Sequence, residues 1–399
     1  CNMLKKLKVK NFRCLKETEI NLAPITLLYG PNGAGKSSIL YTPFIFKNII
    51  QNPNQPLDAF LNLLFANLGG FEQVVHLHNP DRKIEIELTF LDEQGIDTTY
   101  GVSIGKKEGK FWLISPPKVN LVLPVTFPYP ANAQTQQVVK INETEINVLW
   151  NGITASVSAP PQTPEGVEAT EKFLKSLNMC VETIRAADII PLKRGFSKPY
   201  YSSSPLSSLL TEEEIATLLA GDMYLEGEVM AKFQNMFGKI FKVRSQIGTA
   251  LFYLQVTDNF GMTNELINDG FGLNQVVYIL TKTLKKNTPL IFIEEPEIHL
   301  HPSAQRNLTQ TFAEIVKEEE KYLIIETHSE IVVSTFLALV AEKKLSHEDI
   351  KCFFLTKLKR ETIIEEQTIN EKGQIKGGLV SFMETEIENI KTVIGIEEK

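Results

Sequence analysis

The stretch Gly30-Pro31-Asn32-Gly33-Ala34-Gly35-Lys36-Ser37 constrains this chain more than any other. It fits the pattern G-x-x-x-x-G-K-[ST] in full. Ahead of it, residues 25–29 (ITLLY) form a short apolar run bounded by Pro24 and Gly30, which reads as a buried strand. Behind it, SSILYTPFIF reads as a helix that Pro43 should kink or end. Strand, glycine loop and helix in that order are the context this pattern requires. The glycines let backbone N–H groups turn toward an anion without a Cβ in the way. The helix adds its positive end. Lys36 can then bridge the β and γ phosphates of a nucleotide, the Ser37 hydroxyl can ligate Mg2+, and Ser38 closes the nucleotide-binding run. A chance match in a chain of this length is on the order of one in a hundred.

The rest of the composition narrows the setting. The 399 residues suggest one large domain with an insertion, or two lobes. No apolar run reaches the ~18 residues of a membrane helix. The start carries no apolar signal core, Met3 is read as the native first residue, and a cytoplasmic location is expected. The four cysteines, Cys1, Cys14, Cys180 and Cys352, are scattered and indicate neither a disulfide framework nor a zinc knuckle. The net charge of −7 argues against a surface that coats nucleic acid unaided, though a local basic groove would escape that argument.

Residues 290–293 (LIFI) are apolar and end in Glu294 and Glu295. A buried strand would deliver both acids to the carboxyl edge of a sheet, where open α/β sheets bind ligands. Glu294 is expected to orient Mg2+, and Glu295 to polarise an attacking water. Alone, such a pair could be a solvated strand end; beside a phosphate loop that reading loses ground. Farther along, YLIIE (322–326) runs into Thr327-His328-Ser329. Strand 289–294 followed by a helix from about Ser303, then strand 322–326 followed by a helix from about Glu330, gives the rhythm of a mainly parallel sheet.

Elsewhere, residues 83–92, 98–106 and 110–115 read as antiparallel strands. Residues 138–150 and 152–158 read as a further pair around Asn151-Gly152. Residues 116–135 read as a loop, 159–166 as a linker, 166–180 and 211–240 as helical, 350–368 as a strand pair, and 379–392 as a terminal helix. No sustained heptads occupy residues 160–245.

Glu294-Glu295-Pro296-Glu297-Ile298-His299-Leu300-His301-Pro302 resembles the Walker B and D-loop region of the OLD-like and RecF/SMC-like branch of ABC ATPases. Lys10-Asn11-Phe12-Arg13, and the phosphate loop with Ser38, match the opening of that branch. The resemblance covers roughly residues 4–40 and 265–330. It implies an α/β fold: an ABC/SMC-head-like P-loop NTPase with an antiparallel β subdomain and a mostly helical insertion. The expected division is 3–158, 159–248 and 249–399. ATP and Mg2+ are the implied cofactors. Arg13 would lie near the nucleotide, if it is not an ordinary edge-strand cation. His328 is similar to the switch histidine that contacts the γ-phosphate. Asn268–Gln275 (NDGFGLNQ), with Gly272 and Asn274, resembles a degenerate signature segment serving the ATP of another subunit, or else is a plain turn and helix cap. Gln73 would be the Mg2+-sensing glutamine, or a surface-loop residue.

A homodimer with ATP at its interface follows from the same resemblance. So does a nuclease or toxin effector in anti-phage defence or DNA repair. Only about 70 residues follow His328, too few for the nuclease domain of full OLD proteins, so any cutting activity is expected on a partner. A nucleotide-holding scaffold with little turnover is the alternative; a transporter subunit is disfavoured. Residues 185–201 set Arg185, Lys193, Arg194 and Lys198 beside Tyr200 and Tyr201, which suits nucleic acid or an exposed loop. His76/His78 and His299/His301 have strand spacing for a metal but lack further ligands.

Overall fold

The computed structural model describes residues 3–91, 95–115, 119–130, 132, 135–141, 144–158, 163–208 and 210–376. The expected helix at 379–392 lies outside them. The chain opens with a hairpin, β1 (Met3–Phe12) and β2 (Leu15–Asn21), followed by β3 (Ile25–Tyr29), the phosphate loop and α1 (Lys36–Gln51). A two-residue ribbon, β4 (Asn62–Leu63) and β5 (Ala66–Asn67), leads to the single turn α2 (Phe71–Val74). Then come β6 (Ile84–Leu91), β7 (Asp97–Ile104), β8 (Gly109–Ser115), β9 (Val119–Val125), β10 (Thr135–Ile141), β11 (Thr144–Trp150) and β12 (Ala155–Val157). The middle holds α3 (Pro164–Ala186), β13 (Asp188–Ile190), β14 (Tyr201–Ser202), α4 (Glu212–Gly221), α5 (Met223–Phe237) and the strands β15 (Ile240–Ser245), β16 (Leu251–Thr257) and β17 (Thr263–Glu265). The last third runs α6 (Phe271–Leu284), β18 (Leu290–Glu294), α7 (Pro302–Glu319), β19 (Tyr322–Thr327), α8 (Glu330–Ala341), β20 (Ile350–Leu358) and β21 (Glu361–Gln367).

The central sheet has the order β13-β18-β19-β3-β20-β21. All its neighbours pair in parallel except β21, which turns back antiparallel on β20. β3 and β18 are buried at every residue because both faces of the sheet are covered. The two-residue period sorts their side chains between two cores. Leu28, Phe292 and Ile324 join the core shared with α1, α3 and a second sheet. Ile25, Leu27, Ile291, Ile293 and Ile325 join the core under α5, α6, α7 and α8. The second sheet is antiparallel, with order β2-β1-β6-β7-β8-β9. Residues 159–248 are mostly helical where described, and they give β13 to the central sheet. Among the described residues, no helix is long and apolar enough to cross a membrane.

Three local expectations are corrected. Pro43 does not end α1, which runs on to Gln51. Proline leaves the Ile39 carbonyl without its helical donor, and the Thr42 hydroxyl supplies one at 2.9 Å. Residues 116–135 are not all loop: β9 pairs with β8, burying Val119, Leu121, Leu123 and Val125 on one face. Pro124 is tolerated there because β9 ends the sheet. Residues 138–150 form no single strand, since β10 and β11 fold on each other from Ile141↔Thr144 to Thr135↔Trp150. Asn151-Gly152 does turn the chain between β11 and β12, with Asn151 Oδ1 accepting from the N–H groups of Ile153 and Thr154.

Candidate active site

The carboxyl ends of β3, β18 and β19 meet at one edge of the central sheet. Gly30 leaves β3 with φ 139°, and a Cβ there would stand 2.1 Å from the Leu355 carbonyl oxygen. Only glycine passes so close to β20. Pro31, Asn32 and Gly33 form the exposed crest of the loop, while Ala34 is buried. Gly35 caps α1 at φ 104°. The Thr362 hydroxyl on β21 donates to the Ala34 carbonyl at 2.8 Å, and the Thr362 N–H donates to Cys14 O at 2.9 Å. The β20–β21 hairpin therefore braces the loop from behind. Lys36 is 3% exposed, and its ammonium donates to the carbonyls of Gly30 and Pro31, each at 3.0 Å. Burial lowers its pKa, opposed by Glu326, Glu295 and Glu297.

Parallel register sets Glu294 of β18 opposite Glu326 of β19. The Glu294 carboxylate is engaged at both oxygens: the Tyr41 hydroxyl donates to Oε1 at 2.5 Å and the Leu192 N–H to Oε2 at 2.7 Å. Glu326 instead faces the phosphate loop, accepting the Ser37 hydroxyl at Oε1 over 2.8 Å. Burial pushes Glu326 up to about 7, opposed by the Ser37 hydroxyl and Lys36. Glu295 follows the strand at φ 39°, an uncommon backbone for a side chain of this kind. Its N–H donates to the Glu326 carbonyl at 2.8 Å. His328 Nε2 lies 3.4 Å from Glu295 Oε1, and the His328 N–H donates to Glu297 Oε1 at 2.7 Å. Burial and Lys36 lower the His328 pKa, against Glu295, so the imidazole is neutral at pH 7. Lysine, serine, two carboxylates and a neutral histidine thus face one space beside a helix N-terminus, the inventory of phosphoryl transfer to water.

Residues 3–176 and 210–333 match the family model described as the AAA ATPase domain. The chain belongs to that family. This AAA ATPase is 23% identical over 356 residues to the OLD nuclease of Thermus scotoductus, a match covering 86% of this chain and 62% of that protein. It is 23% identical over 364 residues to the Old nuclease of Escherichia phage P2, covering 83% of this chain and 57% of that protein. The chain therefore spans about three-fifths of the length of these two relatives. It is 21% identical over 375 residues to an ATP/GTP phosphatase of Helicobacter pylori, covering 87% and 90%. In fold it is similar to an SMC head domain of Pyrococcus furiosus, solved with an extended coiled coil and bound to the C-terminal domain of ScpA. That likeness has a TM-score of 0.50 at 11% identity and covers 98% of this chain and 100% of that one. The resemblance to the OLD-like and SMC-like branch holds.

The remaining predicted residues of the AAA ATPase scatter around this centre. Arg13 stacks over the Phe12 and Tyr41 rings at 5.8 and 6.0 Å, which sets it beside the tyrosine that holds Glu294. Gln73 turns back on its own turn of helix, accepting the Gly70 N–H at 2.6 Å. Gly272 starts α6 against the 295–302 turn, where a Cβ would lie 2.6 Å from the His299 carbonyl. Asn274 is buried, and its amide accepts from the Phe196 N–H and donates to the Phe196 carbonyl, both at 2.7 Å, tying α6 to the 190s segment.

Within the basic stretch 185–201, Lys193, Lys198 and Tyr200 are exposed and Arg194 departs from the expectation. Arg194 points inward, 7% exposed, donating to the carbonyls of Pro191, Glu294 and Glu295 at 2.9, 2.6 and 2.7 Å. Arg185 pairs with Glu182 at 2.8 Å and Lys198 pairs with Glu213. The histidine pairs do structural work. His76 and His78 donate to the carbonyls of Arg13 and Glu72, His299 packs edge-on against Phe271, and His301 caps α7. Arg194, Thr362 and Glu326 were missed in the sequence. Only Glu326 left a signal there, a lone acid ending an apolar strand just before Thr-His-Ser.

Proposed function

We propose that this chain binds ATP with Mg2+ on the loop Gly30–Ser38 and hydrolyses it between two copies of itself in the cytoplasm. The observation that carries the reading is the convergence of Lys36, Ser37, Glu295, Glu326 and His328 from three strand ends on one edge. The backbone N–H groups of the loop and the start of α1 hold the phosphates. Lys36 exchanges two carbonyl acceptors for phosphate oxygens, which bind an ammonium more strongly. Ser37 and the neighbouring carboxylates are hard oxygen ligands that fit Mg2+, and Glu326 Oε2, buried and without a hydrogen-bond partner, is an acceptor such an ion would satisfy. When bound, Mg2+ neutralises charge on the phosphates. Glu295 takes the proton of the attacking water, and neutral His328 orients that water and the γ-phosphate.

A second copy would close the site with the start of its α6, where Gly272 and the half-exposed Phe271 lie. As a switch, the dimer would pass its nucleotide state to an effector such as a nuclease or toxin, in anti-phage defence or DNA repair, with nucleic acid as a candidate trigger. Support for that setting is the likeness to proteins named OLD nuclease. The alternative is a scaffold that holds nucleotide with little turnover.

Phosphate release by the wild type and by Glu295→Gln separates the two. Loss of a positioned general base should cost about 100-fold or more in kcat while nucleotide binding persists. Equal inertness of the two proteins would remove the enzyme reading.

A further inference from the structure

The two acids nearest the phosphate loop are held very differently, and the sequence expectation chose the other one. Glu294, the first acid of the β18 pair, accepts hydrogen bonds at both oxygens, from Tyr41 and from the backbone of Leu192. Together these donors turn the carboxylate toward α1 and the 190s segment. Glu326 ends the neighbouring strand and touches the serine of the loop, Ser37 Oγ to Oε1 at 2.8 Å. It is 3% exposed, and its second oxygen, Oε2, is buried with no hydrogen-bond partner. A buried carboxylate oxygen without a donor is costly unless a cation meets it. Ligand atoms of Glu295, Glu326 and His328 also lie within 4.8 Å of one another, so the space beside Oε2 is already shared by groups able to face a cation.

We propose that Glu326, acting with Ser37, is the carboxylate that holds the divalent cation, and that Glu294 serves instead as a positioning residue that ties β18 to Tyr41 and Leu192. This rests on the ATP-binding reading above and refines the same site. The Ser37 hydroxyl keeps its proton and donates it in a hydrogen bond to Glu326 Oε1, which leaves the Ser37 lone pairs and Glu326 Oε2 to face the ion.

The test compares nucleotide affinity in EDTA with affinity in Mn2+, using a fluorescent β,γ-imido ATP analogue. Its readout is binding, not turnover. In the wild type Mn2+ should tighten binding. Glu326→Gln should lose about 10- to 100-fold of the ratio between the two affinities while still binding the analogue in EDTA, which also shows that the variant folds. Glu326→Asp, which keeps the charge on a shorter arm, should recover part of it. Glu294→Gln should change the tightening by less than about 3-fold, because its contacts are to protein and not to the ion. Full tightening in Glu326→Gln, or its loss in Glu294→Gln alone, overturns the assignment. A wild type that binds nucleotide but ignores Mn2+ overturns it too, leaving the ATP reading intact. A wild type that binds no nucleotide in either buffer removes both.

Discussion

In the antiparallel sheet, Lys6, Lys8 and Lys10 of β1 lie beside Glu17 and Glu19 of β2, with the closest pairs at 2.7 and 3.0 Å. Every one of these side chains keeps one end in water, and the strand's other face feeds the core with Leu7, Val9 and Phe12. At the carboxyl edge of the parallel sheet the arrangement inverts. Lys36, Glu294 and Glu326 are buried, Glu295 sits at positive φ, and the second carboxylate oxygens of Glu297 and Glu326 have no hydrogen-bond partner. Both regions lean on the same apolar core, which holds Leu7 and Val9 from one and Leu28 and Phe292 from the other. The difference teaches where this fold concentrates unfavourable electrostatics. The antiparallel sheet satisfies its charges locally and cheaply, and the parallel edge keeps charges desolvated, where interactions with a bound anion are strongest.

If that contrast is right, substitutions at the parallel edge should act on function out of proportion to their size. The largest effect is expected for Gly30→Ala. A Cβ 2.1 Å from Leu355 O at φ 139° forces β3 and β20 apart. The cost is about 3 kcal/mol or more, with nucleotide binding lost, as a thermal melt with and without ATP would register.

Next is Arg194→Met, which leaves the carbonyls of Pro191, Glu294 and Glu295 without their donor. Misplacing Glu295 should lower kcat roughly 10- to 100-fold with KM little changed, and Arg194→Lys should restore part of it. A drop confined to KM would argue that Arg194 does not position the catalytic acid.

Thr362→Val keeps the shape and removes the bond to Ala34. It should weaken ATP binding about 3- to 10-fold, in line with the loss of about 1 kcal/mol of hydrogen bonding. Lys6→Met in the antiparallel sheet is the control. It should move Tm by less than about 2 °C and leave turnover unchanged. A large effect there would break the comparison.

The parts of this architecture that sequence reading reached are those written in contiguous residues. Gly30–Ser37, LIFIEE and YLIIETH each carry strand, turn and chemistry in a single run, and each landed at the carboxyl edge of the central sheet. What escaped was carried by contacts between distant segments. Thr362 meets Ala34 across 328 positions, Ser37 meets Glu326 across 289, and Arg194 meets Glu294 across 100. Arg194 was misjudged because its neighbours in sequence are basic and aromatic, whereas its neighbours in space are carbonyls. Glu294 and Glu326 show the same limit. Spacing nominated the acid that follows the motif, and only the packing of Tyr41 and Leu192 reveals that its oxygens are engaged. Pro43 and Pro124 misled for a different reason. Each is tolerated through a local circumstance, a threonine hydroxyl in one case and an edge strand in the other.

A crystal structure with a β,γ-imido ATP analogue and Mg2+ tests the account most directly. It should show Lys36 Nζ moved from the Gly30 and Pro31 carbonyls onto the β and γ phosphates, with Glu295 and His328 flanking the terminal phosphate. A nucleotide seated away from Gly30–Ser38, or a Lys36 still bound to its own loop beside the phosphates, would contradict it.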